Sequence, residues 1–427
     1  MRFDTRAVRS GRGHDPADAG GWPPDPREVG LPHVPGIDLS TTYGYRTSSA
    51  AAASMDALMG GAFSAPNPVY ARLHNPAVAG FERALGALEG AEEAVAFATG
   101  MSAITAVVLA AARPEDGVHL PHVVGVRPIY GGTDHLLTSG LLGTEVTWVR
   151  PDEVEAAVRP DTGLVLLETP ANPTLAMVDI AAVVGEVRRA ELRVGHAVPV
   201  AVDSTFATPV LQRPLAHGAD MSVHSATKFL GGHGDAMGGI VAASEAWSAR
   251  LRQVRMITGG ILHPLAGYLL HRGLQTLPTR VRAQQESARA LAQWLAEDPR
   301  VLEVFYPGLR EDPTEQRLLA TQQRGPGSVL AFRVRGGPEA ALGVTERLRL
   351  VTPAVSLGSV DTLIQAPAHL THRVVDAEAR EASGVPADLL RLSVGLEAVE
   401  DLREDLDRAM SEVEAAHGVE ALVALTV

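Results

Sequence analysis

Lys228 is the only lysine in a chain of 427 residues, because the 37 basic residues comprise this lysine and 36 arginines. Arginine stays protonated at any working pH, whereas the amine of lysine can lose its proton and attack a carbonyl group. A task that needs a free amine, above all formation of a Schiff base, therefore cannot pass to arginine. The alternative is chance survival in a chain whose composition replaces lysine by arginine. The surroundings of Lys228 must decide between these two interpretations.

The composition limits the class of protein. The chain is 46% hydrophobic and 20% charged, which is typical of a globular protein with two or three structural units. A net charge of −13 with scattered arginines disfavours nucleic-acid binding. The absence of cysteine excludes disulfides and thiol catalysis, and no metal site is predicted. We find neither the apolar core of a signal peptide nor an apolar run of about 18 residues, so we expect a soluble cytoplasmic protein without a membrane segment.

Apolar runs alternate with helical patterns over the first two thirds of the chain. Strands or buried apolar runs are predicted at residues 93–97, 117–121, 144–149, 163–168, 197–203 and 220–224, and helices at 50–62, 77–90, 101–112 and 179–192. Buried strands that alternate with helices indicate an α/β fold with a parallel sheet covered on both faces.

The pattern changes near residue 280 and predicts a second, smaller α/β domain. Helices are predicted at residues 282–298, 338–349 and from about 399 onwards, with strands at 327–334 and 389–397. Residues 12–36 are dense in proline, glycine and aspartate and predict an irregular segment. The predicted organisation is an N-terminal arm at 1–76, a large domain at 77–279 and a C-terminal domain at 280–427.

Polar residues follow the apolar runs at one edge of the predicted sheet. Ligands of parallel α/β sheets bind outside the carboxyl ends of the strands, so these residues are candidates for a binding site. They are Gly100, Met101, Glu168, Asn172, Asp203, Ser225, Thr227 and Lys228. Several have an ordinary structural alternative: a cap or a salt bridge for the carboxylate at 203, a helix cap at 100–101, and turn hydrogen bonds for the hydroxyls at 225 and 227.

Taken together, these residues match the requirements of pyridoxal 5'-phosphate. That cofactor needs an amine for its aldehyde, a carboxylate for its pyridine nitrogen and hydrogen-bond donors for its phosphate. Lys228 supplies the amine and Asp203 the carboxylate. The start of the helix predicted at 101–112 supplies N–H groups that can hold a phosphate. The sequence therefore predicts a pyridoxal-phosphate site.

Ordered motifs along nearly the whole chain resemble those of the pyridoxal-phosphate enzymes of cysteine and methionine metabolism. This family includes cystathionine γ-synthase, cystathionine γ-lyase, methionine γ-lyase and O-acetylhomoserine sulfhydrylase. The motifs are FDTRAVRSG, YARLHNP, ATGMSAI, YGGT, ETPANP, VDSTFATP, HSATKFLGGHGD, RGLQTL, VSLGSVDTLIQAPAHLTH and RLSVGLE. The resemblance implies the type I fold of aspartate aminotransferase, in which a large cofactor-binding domain with a mostly parallel sheet accompanies a smaller C-terminal α/β domain.

The resemblance also implies cofactor roles. Lys228 would bond covalently to the cofactor aldehyde and later carry protons between the α and β carbons of the substrate, and Asp203 would pair with the pyridinium nitrogen. The other implied contacts are Gly100, Met101, Ser225 and Thr227 at the phosphate, Asn172 at the phenolic oxygen, and Tyr130, which would stack on the ring and act as an acid or base near the leaving group.

Further implied roles concern the substrate and a second subunit. Arg391 would clamp the α-carboxylate of an amino-acid substrate in a bidentate manner, with Ser356 beside that carboxylate. Tyr70 and Arg72, in the N-terminal arm, would reach the cofactor phosphate of a neighbouring subunit. The resemblance therefore implies a homo-oligomer, usually a tetramer built from dimers.

The implied reaction is γ-elimination or γ-replacement on a homoserine-derived or methionine-like amino acid, through a vinylglycine-type intermediate. His135 stands where family members that handle cystathionine carry an arginine, and Gly132 where methionine γ-lyases carry a cysteine. These departures favour a substrate outside the commonest set, such as one of specialised metabolism. The alternatives are β-elimination from a cysteine-like substrate and a non-catalytic binding relative of the fold, and the retained Lys228 disfavours the latter.

Overall fold

The chain folds into two compact units. A computed structural model describes residues 1–11, 33–112, 117, 119–309, 312–370 and 385–424, with side chains as far as residue 416. The first unit comprises Met1–Arg127, Leu136–Glu168 and Asp179–Pro278, and the second comprises Pro128–His135, Thr169–Val178 and Thr279–Val427. Most of the predicted irregular segment, residues 12–32, lies outside the described residues.

Helices and strands alternate along much of the chain. The described helices are α1 (Phe3–Arg9), α2 (Ser48–Met59), α3 (Pro76–Glu89), α4 (Gly100–Ala111), α5 (Gly131–Thr138), α6 (Val154–Ala157), α7 (Ile180–Val194), α8 (Thr208–Leu211), α9 (Glu245–Thr258), α10 (Pro264–Leu274), α11 (Leu277–Glu297), α12 (Pro313–Thr321), α13 (Gly337–Arg347) and α14 (Val399–Ala424). The described strands are β1 (Glu93–Phe97), β2 (His122–Val126), β3 (Glu145–Val149), β4 (Thr162–Glu168), β5 (Val200–Asp203), β6 (Met221–Ser225), β7 (Gly239–Ala243), β8 (Val301–Phe305), β9 (Val329–Val334), β10 (Thr352–Pro353), β11 (Leu363–Gln365) and β12 (Leu389–Ser393). None of these helices is both long and apolar enough to cross a membrane.

A seven-stranded sheet forms the centre of the first unit, in the order β1-β7-β6-β5-β4-β2-β3. The strands from β6 to β3 run parallel to one another, whereas β7 is antiparallel to both β6 and β1. β2, β4 and β7 are buried along their whole length, which is the pattern of strands covered on both faces. α3, α4 and α9 pack against this sheet. The predicted α/β class with a mostly parallel sheet is confirmed.

Local sequence signals set the ends of α3. The side chain of Asn75 accepts hydrogen bonds from the N–H groups of Ala77 and Val78, at 3.0 and 3.2 Å. Pro76 occupies the first helical position, where its missing N–H costs nothing. Gly90 ends the helix in the left-handed conformation, with φ of 74°. The helix predicted at residues 77–90 from its apolar spacing and Gly90 is confirmed, and Asn75 and Pro76 set its beginning.

The strand predicted at residues 117–121 is wrong. The described residues of that stretch form no strand, and β2 begins only at His122. The imidazole of His122 is buried between the hydroxyls of Thr162 and Thr147, at 2.7 and 2.8 Å. Because both ring nitrogens are hydrogen-bonded, a polar residue can begin a fully buried strand.

A five-stranded sheet lies in the second unit, in the order β10-β11-β12-β9-β8. β10 and β11 are parallel, and the remaining neighbours are antiparallel. The core of this unit joins α11, α13 and α14 to the sheet through buried side chains such as Leu291, Leu295, Phe332, Leu390, Leu402 and Leu406. The predicted second, smaller sheet is confirmed, and it carries Arg391 on a central strand.

Candidate active site

The parallel strands of the first unit end together at one edge of the sheet. β4 and β5 pair so that Glu168 lies beside Asp203, and β5 and β6 pair so that Asp203 lies beside Val223. Ser225, the last residue of β6, is two positions further along the strand. The structure therefore brings Asp203 and Ser225 to the same edge, as the sequence predicts.

Asp203 is the last residue of β5 and lies half-buried at this edge. Its Oδ1 accepts hydrogen bonds from the backbone N–H of Thr205 at 3.0 Å and from the Thr205 hydroxyl at 2.5 Å. Burial raises the pKa of the Asp203 carboxyl, while both bonds from Thr205 and the nearby His224 act in the opposite direction. A cationic N–H that faced this carboxyl would oppose the effect of burial, lower its pKa and stabilise the carboxylate.

Thr205 is a site residue that the sequence analysis missed. The backbone N–H of Ser225 donates to the Thr205 hydroxyl at 2.8 Å, so Thr205 links Asp203 on β5 to Ser225 on β6. The spacing Asp-x-Thr was the available signal, because an aspartate commonly accepts from the N–H two residues ahead.

Lys228 lies half-buried on a tight turn that follows β6. Its N–H donates to the carbonyl of Ser225 at 3.1 Å, and its carbonyl accepts from Gly232 at 2.8 Å. The base of the turn is closed by Thr227, whose N–H and hydroxyl both lie 3.2 Å from the carbonyl oxygen of Gly238. The Thr227 hydroxyl oxygen also accepts from the N–H of Gly238 at 3.0 Å. The phosphate contact predicted for Thr227 therefore stays a prediction.

The start of α4 meets the end of β6 at Gly100. A Cβ atom at position 100 would lie 2.9 Å from the Cβ of Ser225, so only glycine permits this approach. Thr99 caps the helix by accepting from the N–H of Ser102 at 3.0 Å, and Met101 lies half-buried in the first turn. Helix N-termini bind anions through their N–H groups and dipole, so this corner suits a phosphate.

The donor set of the first unit fits pyridoxal 5'-phosphate. The edge of the sheet carries an amine, a carboxylate, a serine hydroxyl and a helix N-terminus, which are the groups that the aldehyde, ring nitrogen and phosphate require. The close approach of Gly100 to Ser225 leaves no room for a side chain beside the hydroxyl. The residues that would hold the cofactor here are Lys228, Asp203, Ser225, Gly100 and Met101.

Tyr70 and Arg72 are exposed on the surface of the first unit. Tyr70 is 44% exposed and forms a β-bridge with Thr42. The Arg72 guanidinium carbon lies 5.7 Å from the centre of the Tyr70 ring, and its Nη1 donates to the carbonyl of Met256 at 2.8 Å. The structure thus places these two predicted residues side by side and fixes Arg72 against the end of α9.

Arg391, predicted to bind the substrate carboxylate, is held by two other predicted residues of the second unit, Asn172 and Ser356. It is only 3% exposed. Nη1 donates to Oδ1 of Asn172 at 2.8 Å, and Nη2 donates to the carbonyl oxygen of Ser356. Ser356 adopts a positive φ of 88°, which is uncommon for a residue with a side chain. These contacts fix the plane of the guanidinium, which a bidentate carboxylate clamp requires.

Tyr130 also belongs to the second unit and is 38% exposed. Its carbonyl accepts from the N–H groups of Thr133 and Asp134 at 2.9 and 3.0 Å, which begins α5. A Cβ atom at Gly132 would lie 2.5 Å from Cε1 of Tyr130. The tyrosine ring therefore occupies this position because residue 132 is a glycine.

Proteins of known family match this chain over most of its length. The sequence model of the Cys/Met metabolism PLP-dependent enzymes matches residues 26–411. The L-methionine γ-lyase of Streptomyces avermitilis is 54% identical over 410 residues, which cover 96% of this chain and 89% of that protein. The O-succinylhomoserine sulfhydrylase of Pseudomonas aeruginosa is 36% identical, covering 96% of this chain and 95% of that protein.

A solved structure with the same fold gives a consistent result. The crystal structure of a cystathionine γ-lyase from Micromonospora echinospora matches with a TM-score of 0.81 and 38% sequence identity. The match covers 96% of this chain and 99% of that chain.

Proposed function

Since this chain belongs to the family of Cys/Met metabolism PLP-dependent enzymes, we propose that it is a γ-lyase that acts on L-methionine. The reaction removes the methylthio group from the γ carbon and adds water. L-Methionine and water then give methanethiol, 2-oxobutanoate and ammonia.

The family membership confirms several predictions from the sequence. The cofactor is pyridoxal 5'-phosphate. The protein is an enzyme of the carbon–sulfur lyase and γ-substituting class, and its substrate is an amino acid. The interpretation as a non-catalytic relative is thereby disfavoured.

The observation that carries the proposal is the extent of identity with the L-methionine γ-lyase of Streptomyces avermitilis. The residue at 135 supports it. The side chain of methionine ends in an uncharged thioether, so it needs no second cationic partner. His135 stands where the cystathionine-handling members carry an arginine, which fits a substrate without a second carboxylate. This support outweighs Gly132, which departs from the cysteine usual in methionine γ-lyases.

We infer the roles in the cofactor part of the site from the residues of the first unit. Bound pyridoxal phosphate supplies an electron sink for the negative charge that develops at the substrate α carbon. The Asp203 carboxylate would keep the ring nitrogen protonated. The Lys228 amine would take the α proton of the substrate, and removal of a β proton would then let the substituent on the γ carbon leave. Ser225 and the first turn of α4, from Gly100 and Met101, would bind the phosphate.

Residues of the second unit bind and orient the substrate in this proposal. Arg391 pairs with the α-carboxylate, because its fork is held in one plane by Asn172 and by the Ser356 carbonyl. The contact of Asn172 with the phenolic oxygen of the cofactor, which the resemblance implies, stays a prediction. The Tyr130 hydroxyl donates a proton to the departing thiolate.

We also propose a homo-oligomer, a tetramer built from dimers. Residues 1–76 act as an arm from which Tyr70 and Arg72 reach the phosphate in a neighbouring subunit. The exposure of both side chains supports this role, as do the exposed apolar side chains Ile37, Leu39 and Tyr45 of the same arm. The cytoplasm stays the predicted location.

A substrate panel with product identification tests the proposed reaction. The purified holoenzyme is incubated separately with L-methionine, L-cystathionine and L-cysteine, and 2-oxobutanoate, pyruvate and methanethiol are measured by mass. We expect 2-oxobutanoate and methanethiol in equal amounts from L-methionine. Pyruvate from L-cysteine as the only product would establish β-elimination instead. Lys228→Ala, treated with borohydride beside the wild type, checks that the cofactor is bonded to this lysine.

γ-Replacement is a second candidate, favoured by the similarity to the O-succinylhomoserine sulfhydrylase. It is tested by supplying O-succinylhomoserine or O-acetylhomoserine with sulfide and measuring homocysteine. A faster formation of homocysteine than of 2-oxobutanoate from L-methionine would assign the chain to replacement.

A further inference from the structure

The neighbours of Thr205 determine the direction in which its hydroxyl group donates a hydrogen bond. A backbone N–H can only donate, so the hydroxyl oxygen accepts from Ser225 at 2.8 Å. The hydroxyl proton is then directed at Oδ1 of Asp203, 2.5 Å away. The backbone N–H of Thr205 donates to the same oxygen at 3.0 Å, so Oδ1 is an acceptor in both bonds.

This arrangement distinguishes the two oxygens of Asp203. Oδ1 is taken by two donors from one residue, which disfavours a proton on that oxygen. The two bonds from the backbone and the side chain of Thr205 also restrict rotation of the carboxylate. Oδ2 is then the oxygen available to accept from a further N–H donor.

Thr205 also links the ends of two neighbouring strands. Asp203 ends β5, and Ser225 ends the neighbouring strand β6. The ladder between these strands pairs Asp203 with Val223, and the link from Thr205 to Ser225 continues the connection beyond the last ladder pair. The Thr205 side chain therefore joins Asp203, the residue proposed for the ring nitrogen, to Ser225, the residue proposed for the phosphate.

We propose that Thr205 is a positioning residue, which holds the Asp203 carboxylate for the cofactor nitrogen and ties it to the phosphate-binding end at Ser225. This inference rests on the proposed roles of Asp203 and Ser225. Thr205 touches neither the substrate nor the reacting carbons in this role, so its effect is exerted through Asp203.

Three variants separate this role from a general structural one. Thr205→Val keeps the shape of the side chain and removes the hydrogen-bonding hydroxyl, whereas Thr205→Ser keeps the hydroxyl. Ser204→Ala is the matched control, because Ser204 is a buried neighbouring hydroxyl whose oxygen accepts from Nε2 of Gln212 at 3.1 Å. Asp203→Asn reports separately on the proposed role of Asp203.

Two measurements are made on each variant. Titration of the apoenzyme with pyridoxal phosphate gives the cofactor dissociation constant, and nitrogen NMR of the holoenzyme loaded with ring-¹⁵N-labelled cofactor reports whether the pyridine nitrogen carries a proton. We expect Thr205→Val to weaken cofactor binding at least about tenfold and to shift the nitrogen signal towards that of the unprotonated ring. Thr205→Ser and Ser204→Ala should resemble the wild type in both measurements.

The outcomes distinguish the two claims. Wild-type affinity and wild-type nitrogen signal in Thr205→Val, with a defect in Asp203→Asn, would overturn the role of Thr205 alone. Wild-type behaviour of Asp203→Asn would overturn the role of Asp203 and, with it, that of Thr205. If Thr205→Val does not fold, Thr205→Ala gives the same comparison against Thr205→Ser, and equal defects in Thr205→Ala and Ser204→Ala would also overturn the proposal.

Discussion

Replacing Arg391 by lysine tests the proposal that this residue of the second unit binds the substrate carboxylate. The guanidinium makes two contacts in one plane, from Nη1 to Asn172 and from Nη2 to the Ser356 carbonyl. A lysine ammonium is a point charge on a flexible stem and cannot reproduce two donors at this separation. Arg391→Lys therefore keeps the positive charge and loses the orientation of the clamp.

The expected decrease in kcat/KM follows from the number of hydrogen bonds to the substrate carboxylate that remain. One bond to the substrate carboxylate persists and one charge-assisted bond is lost, which costs about 1.5–3 kcal/mol, or about a 10- to 160-fold decrease in kcat/KM. Most of the decrease should appear as a higher KM, because the carboxylate is bound in both the ground state and the transition state. The assay is 2-oxobutanoate formation from L-methionine over a range of concentrations.

Two controls make the result decisive. Arg333→Lys alters an arginine on the adjacent strand that pairs with Asp388 at 2.9 and 3.0 Å, and the weak contribution of partly exposed ion pairs predicts little effect on kcat/KM. 3-(Methylthio)propylamine lacks the carboxylate, so its inhibition constant should be the same for the wild type and Arg391→Lys. Equal losses in Arg391→Lys and Arg333→Lys, or an equally weakened amine inhibitor, would refute the carboxylate role.

Three further predictions concern a tyrosine, a histidine and a buried ion pair. Gly132→Ala should displace the Tyr130 ring, which a Cβ at 132 would approach to 2.5 Å, and should lower kcat more than it raises KM in the same assay. Burial lowers the pKa of His122 below its ordinary value of 6.5. The stability that neutral His122 contributes is therefore complete above pH 6.5 and is lost as the pH falls below it, by at most about 1.4 kcal/mol per pH unit. In urea unfolding, the stability of His122→Asn should fall less steeply with decreasing pH than that of the wild type. Arg255→Ala leaves the buried Glu82 carboxylate without its partner at 2.5 Å and should cost about 3–5 kcal/mol of unfolding free energy, part of which Glu82→Gln in the same chain should restore.

Sequence signals predicted the elements whose ends are set by local chemistry. α3 is an example, because Asn75, Pro76 and Gly90 each favour a helix boundary regardless of the rest of the fold. The sequence pattern failed to predict strands whose position depends on residues distant in the chain. β2 begins with a buried histidine that is acceptable only because Thr147 and Thr162 lie on neighbouring strands. β7 was not predicted as a strand, and nothing in its sequence GIVAA indicates that it runs antiparallel to both neighbours.

The candidate site shows the same division. The residue types at the strand ends predicted an amine, a carboxylate and an anion-binding helix, because parallel strands deliver their following residues to one edge. Contacts between distant positions could not be predicted from the sequence. Ser356 was predicted beside the substrate carboxylate, but the structure shows its carbonyl oxygen accepting from Arg391. The hydroxyl of Thr205 likewise connects two strands. Such links depend on rotamers and on backbone direction, which residue type and spacing do not specify.

The segment 226–238 leaves the sheet at β6 and returns to it at the adjacent antiparallel strand β7, with Ser225 paired to Gly239 at its mouth. Hydrogen bonds between Thr227 and Gly238 hold the two ends of the segment together, just beyond the last pair of β6 and β7. Within the segment, Phe229 and Leu230 are each only 1% exposed, so its interior as well as its two ends is fixed by packing. An insertion or deletion inside this segment should therefore displace Lys228 relative to the end of β6, even where both strands keep their pairing.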